Sequence, residues 1–330
     1  MNRAKIQGIG YSVPDRIVKN SELEKHMDTS DEWIQSRSGI RERRWISPGI
    51  GTSDLAIDAS KKAIQMADID PQAIDLIIVG TLTSDYFFPG VSAQVQDALE
   101  IGPIAAFDVK AACSAFIYSL SIGDQFIQTG KYQTVLVIGA EVQSTALDMS
   151  TKGRDMAVLF ADGAGAVILK KHDGDTGILS THLHCQGKYL KELWCEGPTS
   201  RENPRLSADM LKEGRHFPYM NGREVFKNAV RRFPEVIQEA LNENGLSVDD
   251  VSLIIPHQAN ERITISVRKK LGVEESKVFS NIHKFGNTTG ASIPIALCDA
   301  YEQGKISEKD IIILAAFGAG FTWASAAIKW

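Results

Sequence analysis

Short apolar runs alternate with amphipathic stretches along the whole chain. Residues 76–80 read LIIVG and residues 135–140 read VLVIGA, with no charged residue in either run. Such near-continuous apolar character is typical of parallel strands that are covered on both faces. Between these runs lie segments with a helical period, such as SDLAIDASKKAIQMA at 53–67. The alternation predicts an α/β protein with mostly parallel sheets.

The same order of segments occurs twice along the chain. LIIV at 76–79 is followed 177 residues later by LIIP at 253–256, and VLVIGA at 135–140 is matched at the same offset by IILAAF. Further matches pair residues 4–10 with 177–183, 53–67 with 225–241, 128–132 with 302–306 and, more loosely, 163–171 with 318–330. The repeat predicts two similar halves, 1–172 and 173–330, each with the order strand, helix, strand, helix, strand, strand.

Residues 311–328 contain no charge and are long enough to resemble a transmembrane helix. Gly318 and Gly320 interrupt this stretch, and polar side chains follow them. We therefore expect two short buried strands around a glycine turn.

The composition is that of a soluble globular protein with a sizeable core: 43% of the 330 residues are hydrophobic and 23% are charged. A net charge of −5 argues against a nucleic-acid-binding protein, although it leaves room for a local basic patch. Four cysteines without a CxxC pair predict neither a disulfide framework nor structural zinc. The N-terminal residues lack the apolar region of a signal peptide, so we expect a cytoplasmic protein.

Cys113 lies in KAACSAF, between an apolar run and a helical segment. It can be a small core residue, because free cysteine is among the most buried residue types. It can also be a nucleophile, because a helix N-terminus lowers the pKa of a thiol. This stretch alone leaves both interpretations open.

Two further polar residues are placed by the repeat or by a strand end. The counterpart of Cys113 falls within FGNTTGASIP, where we expect Asn287 to open a helix as Cys113 does. His257 directly follows the apolar run LIIP, at the strand end where α/β sheets bind ligands. A thiol nucleophile needs a partner that handles protons, and imidazole and carboxamide groups can stabilise an oxyanion. The three residues therefore predict a site in the cleft between the halves.

Other polar features have a simple structural alternative. His182 and His184 fall on one strand face beside Cys185, but no carboxylate lies nearby in the sequence, so we do not expect a metal site. Basic side chains cluster twice in the second half, either as solvated charge or as a dock for an acidic partner: Lys227 with Arg231, and Arg262 with Arg268, Lys269 and Lys270.

Seven motifs in order resemble the β-ketoacyl-[acyl carrier protein] synthase III family of condensing enzymes. They are DTSDEWIQSRSGIRERR (28–44), FDVKAACSAF (107–116), LFADGAGAVIL (159–169), MNGREVFKNAV (220–230), PHQANERI (256–263), FGNTTGAS (285–292) and AFGAGFTW (316–323). The resemblance implies a duplicated thiolase-like α/β fold in αβαβα layers, in agreement with the internal repeat.

The resemblance also implies the chemistry. Cys113, His257 and Asn287 correspond to a catalytic triad in which Cys113 accepts the acyl group of an acyl-CoA, with acetyl-CoA as the expected primer. His257 and Asn287 would stabilise the enolate formed when malonyl-[acyl carrier protein] loses CO₂. The backbone N–H groups of Cys113 and Ala319 would form the oxyanion hole. The family needs neither a cofactor nor a metal, since CoA thioesters are substrates.

Binding residues follow by the same resemblance. Trp33 and Arg154 would stack on adenine, with Arg37 near the phosphates. Positions along the pantetheine arm are matched by Thr29, Gly222, Phe226 and Asn260. Phe88 matches a residue that crosses a homodimer interface into the partner's acyl pocket. The dock for the carrier protein is matched by Lys227, Arg262, Lys269 and Lys270. No membrane or nucleic-acid partner is implied.

Some positions depart from the family pattern and leave the acyl pocket undefined. Ala115 replaces a usual glycine, Ser38 replaces a frequent threonine, and Trp45 is expected to add an aromatic ring near the CoA mouth. Two alternatives therefore stay open. One is an acyltransferase of secondary metabolism with a different acceptor, and the other is a non-catalytic acyl-CoA-binding homologue.

Overall fold

A computed structural model describes residues 3–330 of the protein. Its strands are β1 (Arg3–Ser12), β2 (Ile17–Lys19), β3 (Glu42–Arg44), β4 (Leu76–Gly80), β5 (Ala105–Val109), β6 (Thr134–Glu141), β7 (Gly163–His172), β8 (Gly177–Cys185), β9 (Leu193–Trp194), β10 (Tyr219–Met220), β11 (Leu253–Pro256), β12 (Ile311–Gly318) and β13 (Thr322–Lys329). Its helices are α1 (Asn20–Leu23), α2 (Asp31–Ser38), α3 (Thr52–Ala67), α4 (Val91–Ala98), α5 (Ala115–Gln128), α6 (Arg154–Ala157), α7 (Ala208–Glu213), α8 (Gly222–Glu243), α9 (Glu261–Leu271), α10 (Ile282–Phe285) and α11 (Ser292–Glu302).

Two main sheets repeat one strand order. The first runs β1-β7-β6-β4-β5 and the second runs β8-β13-β12-β11. The pair β4–β6 and its counterpart β11–β12 are parallel. The next two pairings in each sheet, β6–β7 and β7–β1 in the first and β12–β13 and β13–β8 in the second, are antiparallel. The register also repeats, since Leu76 faces Val135 and Leu253 faces Ile312. The predicted duplication is therefore confirmed.

The second half lacks a full counterpart of β5. There, a single parallel bridge joins Ile254 to Val278, and the Phe279 N–H donates to the Ile254 carbonyl over 2.9 Å. The fifth strand of the duplicated unit is reduced to this one contact.

Strand periodicity divides the buried side chains among layers. Leu76 and Ile78 point into a core shared with α5 and α11, whereas Ile77 and Val79 point to the opposite face, under α3 and α4. In the second sheet, Ile254 points outward to the core under α8 and α9. Since α5 and α11 lie between the sheets and α3, α4, α8 and α9 cover the outer faces, the layers run αβαβα as expected.

The uncharged stretch near the C-terminus forms the antiparallel pair β12 and β13, as predicted. Among residues 3–330, none of the helices is long and apolar enough to cross a membrane. Strands of the first sheet end at His172 and those of the second begin at Gly177, while one core is shared by both halves. The division at residue 172 stays a prediction.

Candidate active site

Cys113 lies in a one-turn 3₁₀ helix, Ala112–Ser114, that links the end of β5 to α5. The turn begins with Ala112 in the left-handed region, at φ 49°. Gly318 packs so closely that a Cβ there would lie 2.9 Å from the Cys113 Cβ. Position 318 therefore requires glycine. Under this close contact only 7% of the Cys113 surface is exposed.

Burial, followed by the nearby Glu141 carboxylate, raises the pKa of the Cys113 thiol to about 12. This direction is opposite to the lowered pKa that the position at a helix N-terminus suggested from the sequence. Burial disfavours a thiolate, whereas a helix N-terminus favours it. Burial therefore favours the neutral thiol in the resting protein.

A matching turn in the second half, Thr289–Ala291, leads into α11. Thr289 has φ 47° and lies 177 residues after Ala112, so Gly290 is the structural counterpart of Cys113. The prediction that Asn287 opens a helix is wrong, since Asn287 lies two residues before the turn.

Asn287 instead stabilises this turn and is held by backbone bonds. Its Oδ1 accepts a hydrogen bond from the Thr289 N–H over 2.9 Å. Its own N–H donates to the Leu159 carbonyl, and its carbonyl accepts from the Ala161 N–H, both over 2.9 Å. With Oδ1 engaged in this way, the Nδ2 group is the end that can donate to a ligand.

His257 follows β11 directly, as predicted. Its N–H donates to the Ala315 carbonyl over 2.7 Å and so extends the β11–β12 pairing by one residue. Its Nδ1 lies 2.6 Å from the Ser292 Oγ, which leaves Nε2 for a ligand. Burial lowers the pKa of His257 to about 3, so the imidazole is neutral near pH 7.

The residue after His257 holds this segment in place. Gln258 is buried, and its Nε2 donates to the Pro256 carbonyl over 2.7 Å. Its Oε1 accepts from the Asn281 N–H over 3.0 Å. Sequence reasoning missed this residue, because a glutamine after a strand carries no positional signal.

Cys113, His257 and Asn287 line one cavity of about 400 Å³. Both halves contribute to its walls, as the repeat predicted, and Phe317 and Gly318 lie beside the cysteine. The next residue, Ala319, follows the end of β12, and its N–H donates to no acceptor within residues 3–330.

Two helix faces form the outer part of the cavity. On α2, Trp33 and Arg37 are one turn apart on the lining face. Gly222 and Phe226 occupy the corresponding face of α8. Asn260 lies between these helices, and its Nδ2 donates to the Arg37 carbonyl over 2.9 Å.

Thr29 and Arg154 do not line the cavity but lie next to residues that do. The Arg154 guanidinium lies 4.5 Å from the centre of the Trp33 ring and donates to the Asp28 carbonyl over 2.6 Å. Arg37 stacks on the same ring at 4.7 Å. The Thr29 Oγ1 and the Arg154 Nε are buried atoms without a hydrogen-bond partner in residues 3–330. The hydroxyl can donate or accept, whereas the Nε–H of Arg154, 3.8 Å from the Asp155 carboxylate, can only donate.

The cavity mouth is basic although the chain is acidic. Arg37, Arg223 and Arg262 line it, against a single carboxylate from Asp155. Sequence reasoning missed Arg223, which precedes Phe226 by one turn on the same helix face.

The predicted carrier-protein dock is only partly assembled at this mouth. Arg262 lines the cavity and its guanidinium lies 5.7 Å from the Phe226 ring. Lys227 is exposed and lies 3.5 Å from the Glu224 carboxylate. Lys269 and Lys270 are exposed in the last turn of α9, outside the cavity lining.

Phe88 is 79% exposed and does not line the cavity. Tyr86 and Phe87 beside it are also exposed, and Arg205 stacks on Phe87 at 4.2 Å. The three aromatic side chains form a surface patch apart from the mouth.

Two departures from the family pattern lie away from the mouth. Trp45 is buried and its Nε1 donates to the Phe160 carbonyl over 3.0 Å, so the expectation of an added ring at the CoA mouth is wrong. The Ala115 methyl faces β4, where a Cβ on Gly80 would lie 3.0 Å from it. Ser38 does line the cavity and donates to the Ile34 carbonyl over 2.6 Å.

His182 and His184 share one strand face, as predicted. Both contact Glu239 of α8, at 3.4 and 2.7 Å, although no carboxylate is near them in the sequence. Within the described residues, no group of three or more His, Cys, Asp or Glu side chains is arranged to hold a metal ion.

Comparison with known proteins gives consistent matches. A model of the 3-oxoacyl-[acyl-carrier-protein] synthase III family matches residues 107–187, and the model of its C-terminal part matches 241–330. The β-ketoacyl-[acyl-carrier-protein] synthase III of Caldanaerobacter subterraneus subsp. tengcongensis is 45% identical over 327 residues, which cover 99% of this chain and 98% of that one.

Solved structures share the whole fold. The 3-oxoacyl-[acyl-carrier-protein] synthase III from Aquifex aeolicus superposes with a TM-score of 0.92 at 41% identity, covering 99% of this chain and all of the other (100%). A priming β-ketosynthase from the R1128 polyketide biosynthetic pathway superposes with the same TM-score of 0.92 at 31% identity, covering 99% of this chain and 96% of its own. The predicted thiolase-like fold is thereby confirmed.

Proposed function

The chain belongs to the β-ketoacyl-[acyl-carrier-protein] synthase III family of acyltransferases, and on that premise we propose that it condenses an acyl-CoA primer with malonyl-[acyl carrier protein] to initiate fatty-acid synthesis. Acetyl-CoA is the proposed primer. The observation that carries the proposal is the shared cavity of Cys113, His257 and Asn287.

Acyl transfer to Cys113 is the first step. The Cys113 sulfur attacks the thioester carbonyl carbon, the bond from that carbon to the CoA sulfur breaks, and the thiol proton ends on CoA. Because the resting thiol has a raised pKa, the proton leaves only as the new bond forms. The N–H groups of Cys113 and Ala319 stabilise the oxyanion of the tetrahedral intermediate.

Decarboxylation and condensation follow. The malonyl thioester loses CO₂, and the neutral His257 and the Asn287 amide donate hydrogen bonds to the enolate oxygen. The resulting carbanion attacks the acyl-cysteine carbonyl, and the carbon–sulfur bond to Cys113 breaks. Cys113 takes up one proton from water, which restores the thiol and releases the β-ketoacyl-carrier protein.

The cavity mouth binds the CoA portion in this proposal. Trp33 and Arg154 stack on the adenine, and Arg37 pairs with phosphate. The Thr29 Oγ1 and the Arg154 Nε–H, which lack a hydrogen-bond partner within residues 3–330, support a polar ligand here. Gly222, Phe226 and Asn260 lie along the pantetheine arm, between the mouth and the cysteine.

Partner surfaces are also proposed. The acidic carrier protein docks on the basic side chains around the mouth: Lys227, Arg262, Lys269 and Lys270. The exposed Phe88 supports a homodimer in which it enters the partner subunit's acyl pocket. Cysteine usage supports a cytoplasmic setting.

Intact mass spectrometry tests the covalent step. The protein is mixed separately with acetyl-, isobutyryl- and octanoyl-CoA, and we expect one acyl adduct, largest with acetyl-CoA. The adduct should vanish in Cys113→Ala and persist in Cys298→Ala, which removes another buried cysteine. A folded protein that forms no adduct with any donor would rule out the acyl-cysteine mechanism.

One other function has a specific observation in its favour. The structural match to a priming β-ketosynthase of polyketide synthesis shows that the same fold serves a different pathway. Preference for octanoyl-CoA in the mass experiment would favour that alternative. Membership of an acyltransferase family disfavours a non-catalytic binding protein, which would release no CoA.

A further inference from the structure

Ser292 is a buried serine that the steps above do not use. It is the first residue of α11, and its Oγ lies 2.6 Å from the Nδ1 of His257. Ser292 is only 2% exposed, so neither partner of this bond exchanges freely with water.

The surroundings of Ser292 fix the direction of the bond. Its Oγ accepts a hydrogen bond from the Gln258 N–H at 3.4 Å. Within residues 3–330, the only acceptor in reach of its own O–H is His257 Nδ1. The serine hydroxyl therefore donates, and Nδ1 accepts.

An accepting Nδ1 places the proton of a neutral imidazole on Nε2. Nε2 is the nitrogen that remains for a ligand in the cavity. An Nε2–H group can donate to an enolate oxygen, whereas the other tautomer would present a lone pair to it.

We propose that Ser292 is a positioning residue that holds His257 in its Nε2–H tautomer, so that the imidazole acts as a hydrogen-bond donor to the thioester enolate. That the imidazole donates to an enolate rests on the proposed function, whereas the assignment of the tautomer does not. Neutrality of the imidazole, which its lowered pKa supports, is a condition for this role.

The segment that carries His257 is otherwise fixed. Backbone pairing with Ala315 fixes the main chain of His257. The side chain of the next residue, Gln258, bonds to the Pro256 carbonyl and to the Asn281 N–H. The remaining freedom of His257 is rotation of its ring about the side-chain bonds, and the hydrogen bond to the Ser292 hydroxyl restricts this rotation.

NMR of ¹⁵N-histidine-labelled protein tests the tautomer without any substrate. We expect the wild type to show the proton of His257 on Nε2 alone, and Ser292→Ala to show a mixture of tautomers or a broadened signal. A wild type with the proton on Nδ1 would overturn the proposal.

Rates of the two half-reactions test the functional part. In Ser292→Ala, condensation with malonyl-[acyl carrier protein] should slow by about tenfold, because one hydrogen bond of ordinary strength is lost. Acylation of Cys113 by acetyl-CoA, followed by mass, should stay within about twofold, since that step uses backbone donors. Ser292→Thr keeps the hydroxyl and should recover most of the condensation rate.

Ser60→Ala is the matched control. Ser60 is a fully buried helical serine whose Oγ donates over 2.6 Å to the Ala56 carbonyl, away from the cavity. Ser60→Ala should lower the free energy of unfolding without changing the rate of either half-reaction. Equal slowing of both half-reactions in Ser292→Ala, unrescued by threonine, would reduce Ser292 to a structural role. If the wild type itself takes no acyl group, the proposed function fails, and the NMR result still decides the tautomer.

Discussion

The turns that begin α5 and α11 have nearly the same backbone and different side chains. Both are 3₁₀ turns that start in the left-handed region, at φ 49° for Ala112 and 47° for Thr289. The first turn presents Cys113, whereas the second has Gly290 at the equivalent place. A Cβ on Gly290 would lie 3.3 Å from both the Ala112 carbonyl oxygen and the Glu141 Oε1. One turn therefore carries the proposed nucleophile, and its counterpart provides the space in which the first turn fits.

Removing the thiol of Cys113 is expected to have the largest effect, because it removes the functional side chain that distinguishes the first turn from the second. Cys113→Ala should lower the condensation rate by about a thousandfold or more, since a nucleophile has no substitute in this mechanism. Folding should change little, with the free energy of unfolding altered by about 1 kcal/mol. Steady-state turnover and a urea titration measure the two quantities. A variant that keeps turnover would place the nucleophile elsewhere.

Asn287 tests the contribution of the second half. Asn287→Ala should slow condensation by about a hundredfold to a thousandfold, as expected for the loss of one preorganised donor to a developing oxyanion. The acylation rate should fall far less. Comparable losses in both steps would mean that the second half shapes the cysteine turn instead of stabilising the enolate.

Glu141 lies against both turns and makes their contact pH-dependent. Burial raises its pKa to about 7 from the usual 4.5, so the folded protein holds this proton more tightly than the unfolded chain. Its stabilising effect is therefore complete below about pH 4.5 and is lost as the pH rises through 7. The loss amounts to about 3 kcal/mol in the free energy of unfolding.

Urea denaturation at pH 5 and pH 8 checks this dependence. Glu141→Gln should lack the decrease that the wild type shows between these values. Glu308→Gln, at an exposed glutamate, serves as the control and should behave as the wild type. A Gln variant with the wild-type pH dependence would show that Glu141 is ionised throughout.

Two glycine substitutions, with a third as the control, test the comparison at the smallest scale. Gly318→Ala should destabilise the protein by about 1–3 kcal/mol and slow acylation, because its Cβ would meet the Cys113 Cβ at 2.9 Å. A Cβ at position 290 would lie 3.3 Å from its nearest neighbours, so Gly290→Ala should lower the free energy of unfolding by less. Gly187→Ala, where a Cβ would meet nothing within 4 Å, should be neutral. Thermal denaturation and adduct formation rank the three.

Sequence patterns located most of the fold because they depend on local periodicity. The runs at 76–79 and 253–256 became β4 and β11, and His257 follows its strand as expected. The start of α11 was misplaced because FGNTTGAS does not reveal which residue enters the left-handed region, and a threonine there is unusual.

Contacts between distant residues could not be predicted in this way. Burial and the Glu141 carboxylate raise the pKa of Cys113. One residue that packs on the cysteine, Gly318, is 205 positions away in the chain. Glu239 reaches the two strand histidines only through the packing of α8. Likewise, the burial of Trp45 follows from its bond to Phe160, which no local pattern indicates.

The division of labour between the two turns is tested most directly by the acyl-enzyme of the Asn287→Ala variant. Mixed with acetyl-CoA and analysed by intact mass, this variant should accumulate one acetyl group per chain, and Cys113→Ala should accumulate none. Addition of malonyl-[acyl carrier protein] should discharge the adduct from the wild type and leave it on Asn287→Ala. An Asn287→Ala variant that never acquires the acetyl group, or that discharges it at the wild-type rate, would contradict the account.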